Sequence, residues 1–469
     1  MQTTHLLLIT LYLLVMVGIG LYHSRSSKIR TGEDFLFAGR SLPTPVMVAT
    51  LVVTWVGSGT IIGGANFAYN YGPVAGMVFF AGTPLGILVL LLAARRIRRA
   101  ARHTVPELLE ARFGAGVRTV AAVVTALAYV GLVASQFVGG GYVLALITPL
   151  TTTQGALIVA GVVTVLTVTG GLFSVAYTDF VSAVLVLSAL IVAVPLVLVA
   201  LGGLPVYWEG LPETSRTPTG GLSPLQLLGY FLPLFLLLLG DQNLYQRLAA
   251  AKDERSARNS TLGMLFASFL VFVPVIILAT SASVIMPDIN GDESVLRLAS
   301  EGHLPTLIGG LLLAGAVAFV ITTGSSFMLS AASNIAFDLF ARFGGDKAGE
   351  RGTLVVQRLS VVAIALIAIA LGLYFPTVLD LQMYSYTIYG AAITPAVLAV
   401  LFWKRATTAG AVAALVVGTA VTIGWQVLGA PGGFNGVIVA LPAAVLALVV
   451  ASLLTRAPST RALEAAGVD

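Results

Sequence analysis

The chain of 469 residues contains no cysteine and only four histidines. Disulfides, iron–sulfur clusters and thiolate metal sites are therefore excluded together. Four scattered imidazoles do not compose a haem or zinc site. Charge is scarce as well, at 10% of residues against roughly 25% in soluble domains. HExxH, Walker A and a pair of mid-span aspartates are all missing, so neither hydrolysis nor ATP drive has the residues it needs, and an enzyme is not expected. No long polar segment occurs, so no sizeable soluble domain is expected. What fills the chain is apolar. Hydrophobic residues make up 58%, and runs longer than about 18 residues recur from end to end, the mark of transmembrane helices. The expectation is an all-α polytopic membrane protein forming one transporter-like domain over 1–469, in contact with a lipid bilayer.

Hydropathy places thirteen spans near 5–22, 44–69, 74–94, 118–147, 155–173, 176–200, 224–241, 260–285, 305–333, 354–374, 380–402, 407–427 and 434–455. The net charge of +5 is distributed unevenly between the loops. Arg25, Lys28, Arg30 and Arg40 fall on one side, as do "RRIRRAAR", Arg112 and Arg118. Arg247, Lys252, Arg255, Arg258, Arg342, Lys347, Arg351, Arg358, Lys404, Arg405, Arg456 and Arg461 join them, leaving Arg216 and Arg297 opposite. By the positive-inside rule the N-terminus is outside and the C-terminus cytoplasmic, in a cell membrane. "MQTTH" lacks the basic start of a signal peptide, so the first run is kept as a span. The "ARRIRRAARH" stretch reads as an anchor at lipid headgroups rather than a nucleic-acid patch. No obligate protein partner is evident.

Two spans depart from plain Val/Leu/Ala composition. "MVATLVVTWVGSGTIIGGANFAY" carries Gly57, Gly59, Gly63 and Gly64, and "LLGYFLPLFLLLLGDQNLYQR" carries Pro233 and then Gly-Asp-Gln-Asn. Such residues loosen the helical hydrogen-bond ladder, and freed carbonyls survive in lipid only where they line a protein-enclosed cavity. The two spans lie five apart, which suggests two five-helix repeats, about 44–200 and 224–402, each opening on an interrupted helix. A third stretch, "ITTGSSFMLS", places Thr322, Thr323, Ser325, Ser326 and Ser330 in ten positions after an apolar run. Residues 322, 325 and 326 share a helix face, with 323 adjacent. Neutral oxygens without sulfur or imidazole suit a hard cation, and the absence of a carboxylate in the cluster favours a monovalent one. Carbonyls of a broken helix would complete the shell. Asp179 is a candidate further partner, since a carboxylate near the membrane is expensive; a cap at the start of its span is the alternative.

Several stretches resemble the sodium:solute symporter family, which includes the sodium/proline and sodium/glucose symporters. They are "TVPELLEARFG" (104–114), "GGLFSVAYTDFVSAV" (170–184), "DQNLYQRLAAAKDERSAR" (241–258) and "AFVITTGSSFMLSAASNIAFDLF" (318–340). The resemblance covers residues 40 to 405. It implies a LeuT-type 5+5 inverted repeat with one extra helix before the core and two after it. It further implies that the carbonyls of Val53, Val56 and Phe319 and the hydroxyls of Thr322 and Thr323 hold Na+. Some members use a second sodium site, which would fall here on Asp179, Thr322, Ser325 and Ser326.

The function implied is sodium-coupled symport of a small organic solute, such as an amino acid or carboxylate, into the cell by alternating access. Two departures argue against a hexose: Gly59-Thr60 stands where the sugar branch has Glu-Gln, and "GMVFFAG" where that branch has Tyr-Glu. The stretch from Tyr389 to Pro395 and "LFWKR" has the shorter spacing of the proline branch. Candidate solute contacts are Thr54, Trp55, Gly57, Ser58, Thr60, Phe79, Gln136, Asp241, Gln242 and Tyr386. A sugar or polyol symporter remains the alternative, along with a channel or sensor on the same scaffold. A channel, however, needs a continuous polar stripe, whereas the polar residues here gather at one depth.

Overall fold

A computed structural model of the chain describes residues 2–24, 42–100, 104–169, 172–343, 350–375 and 377–458. Arg25, Lys28, Arg30, Arg40, Lys347, Arg461 and the Gly-Gly of 170–171 lie outside them. Among the described residues all regular structure is helical apart from one isolated bridge between Leu42 and Ala251. Among the described residues ten helices are long and apolar enough to cross a membrane, and a further pair does so across a 59° bend. Two shorter apolar helices, Thr3–Met16 and Thr152–Val168, occupy two other expected positions.

The helices are α1 (Gln2–Ser24), the broken pair α2 (Thr44–Trp55) and α3 (Gly64–Tyr71), α4 (Pro73–Ala100), short α5 (Val105–Phe113), α6 (Ala115–Ile147), α7 (Thr152–Thr169) and α8 (Leu172–Ala200). A small surface helix, α9 (Leu204–Gly210), leads to a second sequence of the same kind. That is α10 (Pro224–Gly240), interrupted at Asp241 before α11 (Gln242–Ala249), then α12 (Glu254–Ile285), short α13 (Ser294–Ser300), α14 (Thr306–Ser333) and α15 (Glu350–Gly372). It ends in α16 (Val378–Ile388), which continues through a π-helical turn, Tyr389–Ile393, into α17 (Thr394–Phe402). Helices α18 (Thr408–Val427) and α19 (Val437–Leu454) follow. The order broken helix, long helix, short surface helix, long helix, two spans thus occurs twice.

Local chemistry sets the ends. Thr104, Asp253, Thr377 and Thr407 each accept a backbone N–H three residues on, and Ser223 with Gln226 makes a reciprocal capping box. The outer surface is apolar: Leu92, Val199 and Leu454 are 73%, 77% and 82% exposed, which is tolerable only against lipid. Polar and charged groups are turned inward, among them Gln136, Asp179, Asp241 and Arg247.

The two short helices act as lids on the same span. Asp292, just ahead of α13, accepts from Asn66 Nδ2 of α3 at 2.8 Å and from the Val378 N–H opening α16 at 2.9 Å. Arg112 of α5 donates to the carbonyls of Ala399, Val400 and Trp403, at 2.7, 2.9 and 2.6 Å, where α17 ends. A carboxylate thus meets the N-terminus of the 378–402 span and a guanidinium its C-terminus, each complementing the helix dipole.

Candidate functional site

The first break begins at Val56, whose φ and ψ of −83° and 94° leave the helix, and the chain resumes through a π-helical turn over Gly59–Gly63. Carbonyls at this break lose their helical donors. The Thr323 hydroxyl reaches two of them, Val53 O at 3.2 Å and Val56 O at 3.4 Å. Phe319, one helical turn before Thr323, is buried, and Thr322 is half-buried. Val53, Val56 and Thr323 are therefore brought together, while Thr322 and Phe319 share α14 with Thr323.

The second break is chemically different. Its carbonyls already have donors within the protein: Tyr245 Oη donates to Leu239 O at 2.6 Å and Tyr389 Oη to Gly240 O at 2.7 Å. Asp241 caps α11 by accepting from the Asn243 N–H at 2.9 Å. Pro233 sits inside a helix that continues past it, so the interruption is at Asp241 instead. The first break offers carbonyl oxygens that a single hydroxyl serves, whereas tyrosines saturate those of the second.

Asp179 is fully buried in the third turn of α8, which removes the capping role at that helix start. Its Oδ2 accepts from Thr50 Oγ1 at 2.6 Å and stands 4.0 Å from Arg247 Nη2. Arg247 also donates from Nε to Thr50 Oγ1 at 3.0 Å and from Nη2 to Ser326 Oγ at 3.1 Å. Asp179 Oδ1 and Ser325 Oγ are buried with no hydrogen-bond partner. Ser330 is engaged elsewhere, donating to Asn243 Oδ1 at 2.6 Å.

A small cavity of about 10 Å³, room for about one water, lies against the first break. Of the expected solute contacts, Thr54, Trp55, Gly57, Gln136, Asp241 and Tyr386 line it, as does Thr323 of the ion cluster. The other four do not line it. Ser58 donates its N–H to Gln136 Oε1 at 2.9 Å and Thr60 donates to Trp55 O at 3.4 Å. Phe79 stacks on Phe67 at 4.8 Å between ring centres. Gln242 Oε1 accepts from the Val105 N–H at 3.1 Å, tying α11 to the α5 lid.

Sequence reasoning missed Gln382, Phe327, Leu132, Leu237 and Gly59 as lining residues. Gln382 is the informative omission. Its Nε2 bonds Tyr386 Oη, its Oε1 is buried without a partner, and its amide occupies the space a Cβ on Gly59 would need. The sequence shows only a lone amide one helical turn before Tyr386, which does not reveal the contact with Gly59.

Comparison with known proteins follows the same lines. The family model described as "Sodium:solute symporter family" matches residues 35–418. The osmoregulated proline transporter OpuE of Bacillus subtilis is 26% identical over 98% of this chain and 96% of its own length. The high-affinity proline transporter PutP of the same organism is 26% identical over 95% and 97%. Among solved structures, a Na+-coupled sialic acid symporter in a substrate-bound outward-open state superposes with a TM-score of 0.81 at 18% identity, covering 97% of this chain and 98% of that one. The nucleobase-cation-symport-1 family transporter Mhp1 superposes at 0.61 with 13% identity, over 92% and 98%.

Proposed function

The chain belongs to the sodium:solute symporter family and is a sodium-coupled symporter of the LeuT-type fold, and from that premise we propose how the coupling is built. Sodium binds at the break between α2 and α3, held by the carbonyls of Val53, Val56 and Phe319 and the hydroxyls of Thr322 and Thr323. The observation that carries this is the reach of Thr323 Oγ1 to both broken-helix carbonyls. Neutral oxygen donors of this kind suit a hard monovalent cation. Thr323 also lines the solute cavity, so ion and solute share a wall and each stabilises the state that receives the other.

The repeated helix order supports a 5+5 arrangement over about 44–200 and 224–402, with one helix before it and two after. Counting the bent pair as one span and including the two shorter apolar helices makes thirteen spans, with the N-terminus outside and the C-terminus in the cytoplasm of a plasma membrane. Alternating access then consists of releasing the Asp292 and Arg112 lids in turn. A channel is disfavoured because the polar residues gather at one depth, around the first break, rather than in a continuous stripe.

The solute is a small organic molecule, and because the relatives OpuE and PutP are proline transporters, proline is the first to try. Proteoliposomes given an inward sodium gradient should accumulate it, whereas an equal potassium gradient should not drive uptake. Accumulation that ignores the cation would sink this reading.

A second sodium is favoured by one specific observation, the unpartnered buried Asp179 Oδ1 and Ser325 Oγ. Thr50 donates to the other carboxylate oxygen and Arg247 to Ser326, leaving these two with Thr322 for an ion. Sodium-dependent uptake should then show a Hill coefficient above one, falling towards one in Asp179→Asn. A coefficient of one in the native protein leaves only the first site.

A further inference from the structure

From the ion cluster onward, α14 and its extension carry a polar side chain with an oxygen at every fourth position: Thr322, Ser326, Ser330, Asn334 and Asp338. Residues four apart share a side of a helix. These five therefore form a ladder with rungs about 6 Å apart, about 24 Å from end to end. It starts at the hydroxyls assigned to sodium and passes into a π-helical turn, Asn334–Phe340, towards the end of the molecule where Arg112 holds α17. Such turns are rare and are frequent at functional sites.

Hydroxyls elsewhere in the bundle satisfy themselves on the carbonyl one turn back, as Thr164, Thr167, Thr261 and Thr422 do. The ladder reaches across to its neighbours instead. Ser326 Oγ accepts from Arg247 Nη2 at 3.1 Å, and Ser330 Oγ donates to Asn243 Oδ1 at 2.6 Å, so both face α11. Asp338 Oδ1 accepts from Arg118 Nε at 2.6 Å and from Thr104 Oγ1 at 3.2 Å, so the last rung meets α6 and the start of α5. Gln242 already ties the start of α11 to that of α5. The row thus follows one buried seam.

Two rungs have oxygens to spare. Asn334 is fully buried, and neither its Oδ1 nor its Nδ2 has a partner among the described residues. Asp338 is equally buried and leaves Oδ2 unpartnered. Unpaired polar groups are costly in such a place, and packing does not explain them. Alanine at 334 would pack without that cost, and a single oxygen serves Arg118. Charge points the same way. Arg118 also pairs with Glu110 at 2.5 Å, Arg342 lies 3.7 Å from Glu110, and Glu107 acts electrostatically on Asp338. Three carboxylates there meet two guanidinium groups, which leaves one negative charge for a cation. Carboxylate and amide oxygens suit a hard one.

We propose that Asn334 Oδ1 and Asp338 Oδ2 form a transient sodium station on the inward release path, which the ion reaches from Thr322 by way of Ser326 and Ser330. The inference rests on the sodium-symport reading and its orientation. Arg118 competes for the same carboxylate, so the ion is held weakly and passes on to the cytoplasm.

Two measurements with L-proline on proteoliposomes of the full-length protein test this. Net uptake into a sodium-free interior requires sodium to leave at the inner end in every cycle. Exchange of labelled for unlabelled proline, with saturating sodium on both sides, does not. Asn334→Ala removes no hydrogen bond, and Asp338→Asn retains an acceptor for Arg118 and Thr104. Each should lower net uptake by about tenfold while exchange stays within about twofold of native, as for a barrier raised at the release step alone. Unchanged net uptake in either variant overturns the station. An equal fall in uptake and exchange does so too, since it marks a structural role. If the native protein itself shows neither flux, the symport reading fails and the station falls with it.

Discussion

At the scale of single residues, the site depends on which carbonyls are left for an ion. Tyr245 and Tyr389 satisfy the second break, while one threonine serves two carbonyls at the first. Thr323→Ala removes an oxygen from that set and should raise the half-saturating sodium concentration by about tenfold, roughly the value of one hydrogen bond near 1.5 kcal/mol. Thr323→Ser keeps the oxygen and should stay within about twofold of the native value. Sodium titrations of uptake on both variants provide the check, and equal behaviour of alanine and serine would separate Thr323 from the ion. Thr323 was readable from the sequence because a run of hydroxyls in an apolar span is anomalous without any knowledge of neighbours. Gln382 and the Asp179–Arg247 pairing were not. Gln382 matters because α16 docks its amide into the notch at Gly59, and Arg247 matters because α11 packs against α2 and α14. Both are facts of tertiary contact that no local pattern encodes.

At the scale of elements, the two lids hold opposite ends of the 378–402 span with opposite chemistry, and of the two groups that bind it, Asp292 and Arg112, only the carboxyl titrates near neutrality. Burial is the main reason the Asp292 carboxyl is pushed up to about 6. The Val378 N–H and the Asn66 amide pull it down, and Asp380 and Glu293 nearby raise it again. In an opened, hydrated lid the group returns towards its ordinary value of 3.8. The closed lid therefore binds the proton more tightly than the open one. Closure is favoured most below that ordinary value and is weakened as pH rises through about 6. Lowering the external pH from neutrality towards 5 should hold the outer lid shut and slow uptake, and Asp292→Asn should flatten that part of the profile. An unchanged acid limb in Asp292→Asn would place the titrating group elsewhere. Arg112 stays charged throughout, so its bonds to the end of α17 should add no matching dependence on internal pH. The helix limits were foreseeable, since α12, α14 and α18 end within a few residues of where their apolar runs stop. The lids were not, because α5 and α13 are short and polar and gain their role only by where they land.

At the scale of the whole molecule, the basic residues do gather at one end. Arg98 donates to Ala251 O at 2.7 Å, Arg96 to Leu401 O at 3.0 Å and Arg405 to Thr455 O at 2.9 Å. These bonds join the ends of α4, α17 and α19 and the loop before α12 into one basic rim. At the other end Arg297 is offset by Glu293 and Glu301, each at 2.5 Å, and Asp292 and Asp380 add negative charge. A membrane protein inserts with its uncompensated Lys and Arg on the cytoplasmic side, so the rim should face inward and the α13 lid outward. Arg255 and Glu301 are exposed at the two ends, and the chain has no native cysteine to confuse a thiol label. In intact cells Glu301→Cys should react with a membrane-impermeant maleimide, and Arg255→Cys should react only after permeabilisation. The reverse pattern would invert the molecule, turning the proton-sensitive lid to the cytoplasm and making the pH effect respond to the internal buffer instead.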